Sequence, residues 1–153
     1  MRGGEIMSQN EQNVAILKRL REMLVRQREK FDAYLRLLER QKDAIAEGDT
    51  GKLLAQVEME REIIAEVKSL RKVIAPLETL YQAAYPGTEN TVPRLKATLE
   101  TMSRAIAAHN ARNRQMLRDR MEELRHEITA LRAWPRTGPQ FADVSPNLID
   151  ITT

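Results

Sequence analysis

The chain has 153 residues, about one domain by length, with 4% aromatics, 31% charged residues, six Gly, six Pro and no Cys. Scarce aromatics and scarce turn glycines argue against a strand-rich fold or a compact α/β enzyme, and the absence of cysteine excludes a disulfide scaffold, a thiol nucleophile and any cysteine metal site. The net charge is only +3, with both signs mixed along the chain, so the basic stripe of a dedicated nucleic-acid binder is missing.

No apolar run approaches the roughly 20 residues of a membrane span. Met1 to Asn10 lack the apolar core of a signal peptide. The expectation is a cytoplasmic protein without membrane insertion. Residues 1–7 read as a flexible leader, with Met7 an alternative start to Met1. What remains is rich in Ala, Leu, Glu, Arg and Gln, the strong helix formers.

Glycine costs a helix interior about 1 kcal/mol against Ala, and the glycines fall outside the candidate helices. Gly48-Asp49-Thr50-Gly51, Pro86-Gly87-Thr88 and Pro135-Arg136-Thr137-Gly138-Pro139 mark three breaks. The first helix is expected over about residues 8–47. Leu17, Leu24, Phe31, Leu38 and Ile45 recur every seven residues, and Leu20, Tyr34 and Leu35 widen the stripe. This is a heptad-like seam, interrupted by Gln27 and Gln41.

The second helix is expected over 50–85, after Asp49 as N-cap. Its stripe is Ile63, Val67, Leu70, Ile74, Leu77, Tyr81 and Ala84, and it keeps phase through Pro76. Pro76 removes one helical N–H bond, so a kink within one helix is expected; two separate helices are the alternative. Glu58, Glu60, Glu62 and Glu66 read as a solvated face. The third helix is expected over 92–133, with Thr91 as N-cap and Pro93 in the first turn. Leu95, Leu99, Met102 and Ile106 form one apolar run; Leu117, Met121, Leu124, Ile128 and Leu131 form another. Between them, from His109 to Gln115, the core-facing positions turn polar.

Residues 134–153 lose the helical period and read as an extended or disordered tail. Phe141, Val144, Leu148 and Ile149 punctuate it, and they are the candidates for docking, onto the protein's own groove or onto a partner. The expected architecture is all-α: an elongated antiparallel three-helix bundle, or coiled-coil-like hairpin array, over 8–133. A rod of paired helices offers few concave sites for convergent catalytic groups. His109 and His126 share no zinc-ligand spacing, and no phosphate-binding glycine loop is present. No enzyme activity, metal or cofactor is expected. Around Arg112, Arg114, Arg118, Arg120 and Arg125, the acids Asp119, Glu122, Glu123 and Glu127 interleave, and aromatic stacking platforms are missing, so nucleic acid is not an expected partner.

Three stretches carry a resemblance. Leu37 to Asp49 ends a helix in Gly-Asp before a second helix. Leu53 to Leu70 contains Glu58-Met59-Glu60-Arg61-Glu62. His109-Asn110-Ala111-Arg112-Asn113-Arg114-Gln115-Met116-Leu117 holds two asparagines three apart followed by apolar residues. Over roughly residues 10–133 the chain resembles the FlgN family, the flagellar type III export chaperones for hook–filament junction proteins. The tail departs from the family, with Trp134-Pro135-Arg136-Thr137-Gly138-Pro139 in place of a Tyr-x-x-x-Gly-like patch. The resemblance implies a non-catalytic chaperone that binds hook-associated (junction) proteins and delivers them to the export gate, as monomer or dimer. By motif position it carries over Asn110, Asn113 and Leu117 as client-binding residues. Met116 and Met121 join them as adaptable apolar surface. A polar layer inside the rod is the alternative role for the asparagines, and plain core the alternative for the methionines. A scaffolding coiled-coil protein with a helical partner is the alternative function.

Overall fold

A computed structural model describes residues 2–87 and 89–134, with side chains from residue 8 onward. Three helices follow in order: α1 (Arg2–Glu47), α2 (Thr50–Ala84) and α3 (Thr91–Ala133). Among the described residues there is no strand. The described backbone divides into two compact units, one ending at Leu117 and the other beginning at Arg118. The physical basis of the division is burial: Asn113 is the last buried residue among those described, and every described residue from Leu117 onward is exposed.

Within the first unit the seams meet as their spacing requires. Leu20, Leu24 and Phe31 of α1, Val67, Ile74 and Tyr81 of α2, and Val92 and Leu99 of α3 form one core. Met23 completes it, while Leu17, Ile63, Leu70, Leu77, Leu95, Met102 and Ile106 pack around its edge. Leu38 and Ile45 are also buried, nearer the α1–α2 turn. Side-chain contacts give the directions. Tyr34 and Gln41 of α1 both reach Glu60, and Lys30 pairs with Glu66, so α1 and α2 run antiparallel. Lys96 faces Glu78 at 3.5 Å, which sets α2 against α3. Asn110 meets Tyr34 and Asn113 meets Leu38, so α3 runs parallel to α1.

The turns have explicit chemistry. Gly48 takes φ 71°, a left-handed conformation that side chains resist. Its N–H donates to the Ile45 carbonyl at 3.2 Å, and the Asp49 N–H donates to Ala44 at 3.0 Å. That pair of bonds is the Schellman closure of α1. The Asp49 carboxylate then accepts from the Lys52 N–H at 3.1 Å and caps α2. One residue thus finishes one helix and starts the next, as the sequence predicts for Asp49. Pro76 lies inside an unbroken α2, so the two-helix alternative fails. The seam held on either side by Ile74 and Tyr81, both buried, outweighs the single bond lost at the proline.

Three expectations need correction. Residues 2–7 do not form a separate leader in the backbone: α1 begins at Arg2, because each residue added to an existing helix gains a hydrogen bond without a new nucleation cost. Gly3, Gly4 and Gly51 therefore lie inside helices. Thr91 is not the N-cap of α3 but its first helical residue. The Arg94 N–H bonds to the Asn90 carbonyl, and Glu89 supplies the capping oxygens. Its carboxylate accepts from the Thr91 N–H at 2.8 Å, the Val92 N–H at 2.9 Å and the Tyr81 hydroxyl at 2.9 Å, and from the Thr91 hydroxyl. A carboxylate also suits the positive end of the helix dipole. Finally, Glu60 is not on a solvated face. It is half-buried and accepts from Tyr34 at 2.6 Å and Gln41 at 2.8 Å.

Candidate interaction surface

The polar stretch in the middle of α3 is built into the bundle. Asn113 is buried, 5% exposed. Its Nδ2 donates to the Leu38 carbonyl at 2.9 Å, while its Oδ1 accepts from Arg112 Nε at 3.2 Å. Asn110 Nδ2 donates to the Tyr34 hydroxyl at 3.3 Å. That hydroxyl in turn donates to Glu60. Tyr34, Gln41, Glu60 and Asn110 thus make a hydrogen-bonded polar layer across all three helices, and Asn113 bonds to α1 beside it. Burial, followed by the bond to Glu60, pushes the Tyr34 phenol up to about 12. Beside this layer, Arg112 Nη1 and His109 Nδ1 approach the same Glu39 oxygen at 3.0 and 2.9 Å. The bond from Arg112 holds the Glu39 carboxyl below its usual range.

This arrangement relocates two sequence-predicted site residues. The Asn110 and Asn113 amides face α1, which is the polar-layer role left open by the sequence, and Asn113 presents almost no surface to a client. Buried amides of this kind fix helix register in coiled coils. Met116 is half-buried, Leu117 is 38% exposed and Met121 is 49% exposed. Phe141, Val144, Leu148 and Ile149 lie outside the described residues.

The exposed part of the prediction extends further than Met121. In residues 118–134, Met121, Leu124, Ile128 and Leu131 alternate spacings of three and four, so they share one face of α3. All four are exposed, Leu131 by 66%, and Trp134 beyond them by 63%. The sequence shows this row plainly and groups it with the buried stripes; the structure leaves it uncovered. Single exposed leucines such as Leu54 and Leu80 occur elsewhere and need no explanation. A continuous apolar row does, because contiguous apolar surface of this kind marks interaction sites. The polar residues around it pair within the helix: Arg120 with Glu123 at 3.2 Å and Arg125 with Glu122 at 3.8 Å.

Chemically, the row can bury apolar surface of a partner and do little else. Among the described residues no three His, Asp or Glu side chains gather as a metal site. The only histidine in 118–134, His126, is 79% exposed and lies 3.6 Å from Glu122. Among the described residues no helix is long and apolar enough to cross a membrane.

The chain matches no family profile and no solved structure. It is similar to an uncharacterised protein of Treponema pallidum (strain Nichols), at 34% identity over 120 residues, covering 78% of this chain and 77% of the relative. At that identity and coverage, the chain belongs to the same family as the uncharacterised Treponema pallidum protein.

Proposed function

We propose that this protein is a non-catalytic, cytoplasmic export chaperone of the FlgN type, binding flagellar hook–filament junction proteins and passing them to the type III export gate. The observation that carries the reading is the exposed apolar row of Met121, Leu124, Ile128 and Leu131 on α3. A holding chaperone needs a preformed helical surface with anchors at i, i+3 and i+4 spacing, on which an amphipathic segment can lie. It needs no reacting group. The three-helix order and the Gly-Asp turn agree with the resemblance read in the sequence. The polar layer at Asn110 and Asn113 serves in this reading to hold the register of α3 against α1, not to touch the client.

The test is a pull-down and titration of the full chain with C-terminal segments of the junction proteins encoded by the same genome. Saturable one-to-one binding supports the reading. No binding to any junction protein overturns it in favour of a scaffolding coiled-coil protein.

A further inference from the structure

We propose that the apolar row of α3 seats an amphipathic helix of a different protein whose flank is acidic, and that a row of arginines beside the seam selects it. The inference rests on the interaction-surface reading for its place and on charge placement for the identity of the occupant. With Met121 and Ile128 as heptad position a, Leu124 and Leu131 are position d. Position e, which flanks the seam on one side, is then Arg118, Arg125 and Arg132. Position g, on the other side, is Arg120, Glu127 and Trp134. The remaining acids, Asp119, Glu122 and Glu123, fall at f, b and c, on the face turned away from the seam. The segment is therefore balanced in charge yet uneven in space: the e flank carries only cations, the g flank carries Arg120 and Glu127, and the other acids lie behind the row. Flanking e and g charges set partner choice in paired helices.

A second copy of this chain fits the row poorly. Antiparallel pairing sets e against e, so Arg118 would face Arg132 and Arg125 would face Arg125; g against g sets Glu127 against Glu127. Parallel pairing sets g against the following e, so Arg120 would face Arg125, relieved only by Glu127 facing Arg132. Like charges at these positions repel and reject the wrong partner. A helix with acids along its flank meets the e row in either direction. The arginines of the e row already have partners within the protein, and exposed pairs such as Arg125 with Glu122, at 3.8 Å, are weak enough to be exchanged for a partner carboxylate.

The experiment uses the full chain and two synthetic peptides with the same leucine and isoleucine seam, one with Glu and one with Lys at the flanking positions. Binding is read by fluorescence anisotropy. The Glu peptide is expected to bind about tenfold more tightly than the Lys peptide, the scale of three exposed ion pairs. Salt near 0.5 M shrinks that preference, and the R118E/R125E/R132E variant inverts it. Circular dichroism of the variant, expected to match wild type, keeps the inversion interpretable. Three results would overturn the proposal. One is equal binding of both peptides, or a preference unchanged by charge reversal. Another is a homodimer that L124D/I128D dissolves, which makes a second copy the occupant. The last is peptide binding that appears only after removal of residues 135–153, which makes the chain's own C-terminal segment the occupant. If junction proteins bind with affinity indifferent to charge reversal, this inference falls and the chaperone reading stands. If the Glu peptide binds selectively and no junction protein does, the reverse holds.

Discussion

Asn113→Ala and Asn113→Asp together probe the packing of α3 on α1. Asn113 is buried and its Nδ2 sits 2.9 Å from the Leu38 carbonyl. That carbonyl still accepts its own helical bond, so truncation does not orphan it. Asn113→Ala then loses one net hydrogen bond, about 1 kcal/mol, plus contacts around a small void, for about 2 kcal/mol in all. Asn113→Asp keeps the size but turns a donor into an acceptor and points a buried carboxylate at a carbonyl. Arg112 Nε, 3.2 Å from Oδ1, offsets part of this, leaving about 3 kcal/mol of destabilisation. Urea denaturation followed by circular dichroism reads both. With a slope of about 2 kcal/mol per molar, the midpoint falls by about 1 M for Asn113→Ala and about 1.5 M for Asn113→Asp. If both variants stay within about 0.5 kcal/mol of wild type, the range of ordinary surface substitutions, Asn113 is not against Leu38 and the register of the bundle is wrong.

Two further predictions concern titration. Burial alone would raise the Glu89 carboxyl, but the bonds from Thr91, Val92 and Tyr81 outweigh it and hold it down at about 2. The folded value lies below the unfolded one, so the cap contributes fully above about pH 4.5 and its contribution is lost as pH falls toward about 2. Glu89→Gln should cost about 1 kcal/mol at neutral pH, the scale of a helix cap in contact with solvent, and should flatten the acid limb of stability; an unchanged acid limb would refute the cap. Tyr34 has the opposite sign. Its folded value of about 12 lies above the ordinary 10, so stability present below pH 10 is lost as pH rises toward 12. Tyr34→Phe should weaken that alkaline loss while costing about 1 kcal/mol at neutral pH from the bond to Glu60. Tyr81, whose phenol is also raised, by burial and by its bond to Glu89, adds to the alkaline limb that remains.

The first two helices were legible because their apolar spacing and their burial coincide. Leu20, Leu24, Phe31 and Leu38 read as a seam and are a seam. Asp49 was legible because a short acceptor after a glycine at a helix boundary has one obvious use. Glu89 was not, since its donors come from the following turn and from Tyr81 on another helix. Glu60 was hidden for a related reason: it sits in a run of glutamates, and only the register of α1 against α2 brings Tyr34 and Gln41 to it. Periodicity also could not separate Leu95, Leu99, Met102 and Ile106 from Met121, Leu124, Ile128 and Leu131. Both sets mark an apolar face with equal clarity. Only three-dimensional packing shows that the first is covered and the second is not.

The central claim is that the uncovered row of α3 holds a junction-protein segment. Calorimetric titration of a junction protein into the full chain and into L124D/I128D tests it most directly. Both positions are exposed, so the double variant should unfold within about 0.5 kcal/mol of wild type. The account predicts one-to-one binding to the wild-type chain and at least about a hundredfold weaker binding to the variant, the effect of losing two central apolar anchors. Equal affinity for both proteins, or no binding to either, would contradict it.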